Sequence, residues 1–276
     1  MLGSLVIVFP TPHQGGELVL RHKDREWTFD ANALMSLRSS PSLAYVAFYS
    51  DIEHEVLKVT SGHRITLTYN LYSAPSKPNS NPTSLTVTPS PSVSDSFQVR
   101  LRGLLKSPEF LPNGGSLGFG LSHLYPVTFK TALEDLVQYL KGEDAHIYRA
   151  CQELQLKPRL RMIYDDRGSG PEFGVMMAEI IEQPCYDYYR YGVSYASHLV
   201  DELGGIPVNK VSSDSPGMVK WFGEDDGEGR ITWISPFNGR NQLKDFTMAY
   251  GNEVSVGYIY CSPCLIAHVP PASDRV

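Results

Sequence analysis

The sequence predicts a mainly β or α+β protein, on the strength of three observations. Short runs of β-branched and aromatic residues recur along the chain, separated by glycine, proline and aspartate. Helical spacing of apolar residues occurs at residues 97–106, 128–142 and 144–156, and one helical turn is expected at residues 31–37. The 276 residues, of which 42% are hydrophobic and 20% charged, suffice for a large core. We therefore expect sheet in the first part of the chain and an α+β region after it.

The composition divides the chain into three parts. Residues 1–72 carry several strand-like runs, among them residues 3–9, which we expect to be buried on both faces, and residues 44–50. Residues 73–96 are rich in proline, serine, threonine and asparagine, which predicts a linker or a long surface loop. Residues 97–276 form the α+β region, whose role the sequence does not indicate. Its strand-like runs are 160–164, 173–181, 219–222, 231–234 and 254–269.

The charge pattern excludes several classes of partner. The net charge is −6 and no cluster of lysine and arginine occurs, so neither nucleic acid nor an acidic membrane surface is an expected partner. No run approaches the roughly 20 apolar residues of a membrane span. The apolar residues 1–9 lack the basic start of a signal peptide and end at Pro10. We expect an intracellular protein of the cytoplasm or nucleus.

Four cysteines are too few and too scattered for a disulfide framework, which agrees with a reducing compartment. Cys261 and Cys264 have the spacing of a zinc or redox pair. A zinc site would need a second pair, and no other cysteines are spaced to match. We expect buried cysteines on a strand.

The stretch from Asp51 to Leu71 predicts a β-hairpin with a three-residue loop at residues 60–62. In that register His54 and Arg64 lie on one face, four residues apart along the strands, or roughly 13 Å at about 3.3 Å per residue. A metal ion on His54 could then hold one end of a five-carbon diacid while the planar guanidinium of Arg64 pairs with the other.

Four segments around these two residues resemble a known family. They read GSLVIVFP at 3–10, HQGGELVLRH at 13–22, AFYSDIEHEV at 47–56 and GHRITLTYNL at 62–71. In this order they resemble the Fe(II)- and 2-oxoglutarate-dependent dioxygenases of the prolyl 4-hydroxylase type, especially uncharacterised fungal members. The resemblance implies an incomplete double-stranded β-helix, or jelly roll, within residues 1–72. It also implies that His54 is the distal iron ligand and that Arg64 binds the 5-carboxylate of 2-oxoglutarate.

The resemblance implies an oxidoreductase with Fe(II) and 2-oxoglutarate as cofactors, and it allows ascorbate as another. Such an enzyme hydroxylates a C–H bond of its substrate, here an unknown protein, prolyl or small-molecule substrate. Family members supply the other two iron ligands from a His-x-Asp that precedes the strand corresponding to residues 3–9. We therefore expect a chain truncated before these ligands. The alternatives are a catalytically inactive binding or scaffold protein derived from this fold, and a cupin-like sugar or metal protein, which would leave Arg64 without a role.

One literal His-x-Asp occurs in the chain, at His22 and Asp24. Residues 18–22 and 25–29 are both strand-like, so we expect Lys23 and Asp24 at the tip of a hairpin, where polar residues are common. Such a short motif often arises without function. We prefer the turn and keep His22 and Asp24 as alternative metal ligands.

Overall fold

The structure is a computed structural model, and the chain forms two compact units, Met1–Leu85 and Thr86–Val276. Strands predominate over helices, which confirms the mainly β or α+β class. The residues described are 1–40, 42–72, 91–165, 173–181, 195–209, 231–236, 241–248 and 254–275. The strand predicted at residues 219–222 lies outside them.

The described residues of the first unit form eight strands and one short helix. The strands are β1 (Gly3–Val8), β2 (His13–Gly15), β3 (Leu18–His22), β4 (Arg25–Phe29), β5 (Ala44–Tyr49), β6 (Glu53–Val56), β7 (Val59–Gly62) and β8 (Thr66–Leu71). Helix α1 (Ala31–Ser36) begins where Asp30 accepts a hydrogen bond from the Ala33 amide at 2.9 Å.

The strands of the first unit pair as three antiparallel groups. The first has the order β5-β1-β8, the second β4-β3-β6, and the third joins β2 to β7. The chain therefore passes repeatedly from the group around β1 to the strands around β2 and β3 and back again. Val6 and Val8 of β1 form an apolar cluster with Ala31 and Ala44. Leu5 and Ile7 of β1 are only partly buried, so the prediction of a strand buried on both faces was wrong.

The hairpin predicted between Asp51 and Leu71 was wrong. Residues 60–62, the predicted loop, belong to β7 and pair with β2, while β8 pairs with β1 in the register Val8 to Thr66. Gly62 does have the expected positive φ of 73°, but it serves a close approach, because an added Cβ would stand 2.1 Å from the Pro12 carbonyl oxygen. The estimate of about 13 Å between His54 and Arg64 depended on that hairpin and has no support.

The second unit is built on a seven-stranded sheet. Its strands are β9 (Gly115–Gly120), β10 (Arg159–Asp165), β11 (Phe173–Met177), β12 (Ile206–Asn209), β13 (Ile231–Ser235), β14 (Asn241–Met248) and β15 (Val254–Val269). Their order is β12-β11-β10-β15-β9-β13, with β14 also paired to β15. Among the strands that the structure describes, only β9 and β13 run parallel. The helices are α2 (Pro91–Leu105), α3 (Leu133–Leu136), α4 (Gly142–Glu153) and α5 (Tyr195–Asp201).

The alternation of side chains along the sheet strands produces two apolar clusters. The larger contains Phe119, Leu160 and Leu265 and includes side chains from α2, α3 and α4. The smaller contains Ile163, Ile231 and Cys264, and by alternation it lies on the other face of the sheet.

Two helix predictions need correction. Helix α2 begins at Pro91, inside the stretch 73–96 for which the composition predicts a linker, and proline suits the first position of a helix. The helix predicted over residues 128–142 is limited to α3 and a 3-10 turn, Val137–Tyr139. Thr128 and Thr131 hydrogen-bond each other's backbone and hydroxyl groups and form a local turn instead of the first helical turn.

A buried polar network fixes the loop after β9 to α4. The carboxylate of Asp144, 1% exposed, accepts hydrogen bonds from the backbone amides of Ser122 and His123 and from the Tyr125 hydroxyl, at 2.7, 3.0 and 2.7 Å. The Lys141 amide donates to the Tyr125 oxygen at 3.0 Å. Because a buried carboxylate needs such donors, this network holds the loop in one conformation.

Cys261 and Cys264 are buried on β15, as predicted. They are three residues apart on a strand and belong to different clusters, so their sulfurs lie on opposite faces of the sheet. Burial raises the pKa of the Cys261 thiol to about 12. None of the helices in the described part of the chain combines the length and apolar character needed to cross a membrane.

Candidate functional site

His54 lies in β6, directly opposite Leu20 of β3. Its ring centroid is 4.9 Å from that of Phe48, which packs against the apolar cluster of Val6 and Val8. Residues directly opposite each other on paired strands share a face of the sheet. Phe29 lies opposite Leu18, which is two residues before Leu20 on β3, so Phe29 and His54 are on the same face. Phe29 packs against the same cluster. The exposed ring of His54 is therefore on the side of this group of strands that faces the cluster.

The hydrogen bond of the His54 ring determines what the ring can bind. Nδ1 lies 3.3 Å from the carbonyl oxygen of Ile52, and because a carbonyl oxygen only accepts, Nδ1 is the donor. In the neutral ring this leaves Nε2 with a free lone pair. Metal-binding histidines usually donate their other N–H to a carbonyl or carboxylate in this way.

Arg64 lies between β7 and β8, and its side chain is partly buried. Its Nε is buried and has no hydrogen-bond partner among the residues that the structure describes. Burial lowers the pKa of the guanidinium, because the charged form loses its hydration. A donor held without an acceptor carries a free-energy penalty, and an incoming anion would remove that penalty.

Gly16 makes room for the side chain of Arg64. A Cβ at Gly16 would stand 2.7 Å from the Arg64 Cδ and 2.9 Å from a methyl carbon of Val59. The φ of Gly16 is 79°, which favours glycine independently of the space. Gly16 and Arg64 are 48 positions apart in the chain, so sequence spacing does not predict this contact.

The backbone connects Arg64 to the end of the ladder between β1 and β8. Val8 lies opposite Thr66, and the amide of Phe9 donates to the carbonyl oxygen of Ile65. Arg64 directly precedes Ile65 and lies outside both β7 and β8, so strand alternation does not assign its side chain to a face. The contact at Gly16 places the side chain of Arg64 beside the turn between β2 and β3.

The literal His-x-Asp lies at the tip of the hairpin between β3 and β4, as predicted. His22 pairs with Arg25, and the turn passes through Lys23, with a φ of 54°, and Asp24. The turn interrupts the alternation that would place His22 and Asp24 side by side on a strand.

The structure brings His22 close to a residue that the sequence analysis did not select. A ligand nitrogen of His22 and a carboxylate oxygen of Asp51 lie within 4.8 Å of each other. His54 does not join both of them within that distance. The sequence held one signal for Asp51, since it stands three residues before His54 at the start of the segment that resembles the dioxygenases.

Comparison of the chain with protein-family models, with curated proteins and with solved structures gave no match.

Proposed function

We propose that the first unit is part of a double-stranded β-helix of the Fe(II)- and 2-oxoglutarate-dependent dioxygenase type. In this proposal Arg64 binds the 5-carboxylate of 2-oxoglutarate, His54 is an iron ligand, and the protein hydroxylates an unknown substrate. One observation carries the proposal: the Nε of Arg64 is buried and has no hydrogen-bond partner among the residues that the structure describes.

The strand pairing supports this fold. Jelly rolls are double-sheet structures in which the chain passes from one sheet to the other. In the first unit β1 pairs with β5 and β8, β3 pairs with β4 and β6, and β2 pairs with β7. The chain leaves the group around β1 after β1, returns to it at β5, leaves it again and returns at β8, and this repeated passage between groups of paired strands supports the proposal.

The described residues fit the co-substrate more fully than the metal ion. Arg64 offers a planar, permanently charged fork that matches a carboxylate. His54 offers Nε2 as one metal ligand, whereas iron sites of this class use two histidines and one carboxylate. When bound, iron and 2-oxoglutarate would supply the oxidation of an unactivated C–H bond by O2. The residues of this chain would hold and orient the co-substrate.

The surroundings of His54 also favour a second candidate function. Among the described residues, His54 belongs to no group of three side chains that could hold a metal ion together. A single imidazole does not define a tight iron site. The second candidate is therefore a catalytically inactive protein that binds 2-oxoglutarate or a similar dicarboxylate through Arg64.

Calorimetric titration of 2-oxoglutarate into the full chain tests what both candidates share. We expect saturable binding that Arg64→Gln weakens by roughly 10- to 100-fold, because a charge-assisted hydrogen bond contributes about 1.5–3 kcal/mol. The matched control is Arg38→Gln, which removes an exposed arginine of the same unit and should bind normally. Absence of binding, or equal affinities for the two variants, would refute the role of Arg64.

Succinate release then separates the two candidates. Release that requires both Fe(II) and 2-oxoglutarate and is lost in His54→Ala supports the dioxygenase. Binding of 2-oxoglutarate through Arg64 with no release supports the inactive binding protein.

A further inference from the structure

A pocket of about 340 Å³ opens on one face of the seven-stranded sheet of the second unit. Basic side chains line one side of it. Arg159 and Arg161 alternate on β10 and therefore share a face, Lys157 immediately precedes that strand, and His268 projects from β15.

The cations of this pocket are not neutralised by direct ion pairs among the residues described. In the described part of the chain, no carboxylate lines the pocket or forms an ion pair with Lys157, Arg159 or Arg161. Arg161 donates one hydrogen bond, to the carbonyl oxygen of Leu160 at 3.1 Å. Its pKa is lowered mainly by burial and further by repulsion from Arg159, while Cys264 and Glu134 oppose the change. In a chain with a net charge of −6, such a concentration of positive charge marks a place for an anion.

The rest of the pocket is apolar. Met176 and Ile231 are buried side chains of the smaller cluster, Ile266 packs against that cluster, and Ile206 is 43% exposed at the edge of the pocket. An apolar surface beside a few converging charges is typical of sites for small molecules, and the volume lies at the low end of their range of about 300–1,000 Å³.

The backbone next to Lys157 has an unusual conformation. Gln155 and Lys157 have φ values of 60° and 44°, in the left-handed region that residues other than glycine rarely adopt. Leu156 between them is buried, and its carbonyl oxygen accepts a hydrogen bond from the His268 amide at 2.8 Å. This conformation fixes Lys157 beside the arginines, and strained backbone of this kind often occurs at binding sites.

We propose that this pocket binds a small organic anion that carries a short apolar chain, with the headgroup held by Arg159, Arg161 and Lys157 and the chain lying on Met176 and Ile231. The headgroup is a phosphate or a carboxylate, since the fork of arginine matches both. The site is independent of the proposed dioxygenase function, because it belongs to the second unit.

Calorimetric titration of the full chain with matched probes tests the proposal. Hexyl phosphate and heptanoate share an apolar chain and differ in headgroup. Inorganic phosphate lacks the chain, hexan-1-ol lacks the charge, and hexylamine reverses it. We expect one of the two amphipathic anions to bind at least tenfold more tightly than these three, with affinity that falls as salt is added. Binding by neither anion, or equal binding of any of the three controls, would overturn the proposal.

Two pairs of variants locate the binding. Arg161→Gln should weaken binding of the preferred anion at least tenfold, while Arg149→Gln, which removes an exposed arginine outside the pocket, should leave it unchanged. Ile206→Glu places a negative charge at the edge of the pocket without burying it and should also weaken binding. The control is Ile234→Glu, which changes a side chain that is 51% exposed and lies outside the pocket, and it should leave binding unchanged. Equal losses within either pair would show that the anion binds elsewhere.

Discussion

Replacement of Gly16 by alanine tests the packing that holds Arg64 in place. A left-handed φ disfavours alanine by about 1–2 kcal/mol. In addition, the new Cβ would force the Arg64 Cδ and the Val59 methyl group to retreat by about 0.7 and 0.5 Å to reach ordinary contact. Overpacking of this kind destabilises by about 1–3 kcal/mol. We therefore expect Gly16→Ala to lower the free energy of unfolding by about 2–5 kcal/mol and to weaken any binding that depends on Arg64.

Gly204 provides a matched control for the backbone contribution. Its φ is 67°, and an added Cβ would meet nothing within 4 Å, so Gly204→Ala should lose only the backbone part, about 1–2 kcal/mol. Urea denaturation followed by circular dichroism measures the free energy of unfolding of both variants. Gly16 belongs to the first unit and Gly204 to the second, so each loss is read from the unfolding transition of the unit that carries the substitution. The double variant with Arg64→Ala should recover part of the loss at Gly16, with a coupling of about 0.5–3 kcal/mol. Equal losses at the two glycines, together with zero coupling, would refute the packing argument.

Two further predictions concern buried groups of the second unit. Asp144→Asn replaces a carboxylate that accepts three hydrogen bonds, one of them from the Tyr125 hydroxyl. We expect this change to lower the free energy of unfolding by about 3 kcal/mol, measured by urea denaturation. The control Asp135→Asn, at an exposed side chain, should change the free energy of unfolding little. Burial raises the pKa of the Cys151 thiol from 9.0 to about 12, so its contribution to stability is present below pH 9 and is lost as the pH rises towards 12. Between pH 8 and 10 that loss is on the order of 1 kcal/mol, and it should be absent in Cys151→Ala.

Local patterns predicted those elements whose formation depends on neighbouring residues. The β-branched run at residues 3–9 became β1, the helical turn predicted at residues 31–37 became α1, and the polar pair at Lys23 and Asp24 forms a tight turn. Each depends on side-chain periodicity or on a turn within a few residues. Sequence spacing suffices for such features.

Non-local pairing explains the main error. The rule for hairpin loops assumes that consecutive strands pair, but β8 pairs with β1, some 60 residues earlier in the chain, and β6 pairs with β3. Nothing in the spacing of residues 51–71 distinguishes these partners. The same limit concealed the contact between Gly16 and Arg64 and the proximity of His22 to Asp51.

The predicted relation between His54 and Arg64 came from a hairpin that does not exist. The pairing of β6 with β3 assigns a face to His54, whereas Arg64 lies between β7 and β8, where strand alternation does not apply. The strand pairing therefore fixes neither a shared face nor a separation for the two side chains. The affinity of Arg64→Gln for 2-oxoglutarate is consequently the decisive measurement, because it tests the guanidinium without assuming any distance to His54.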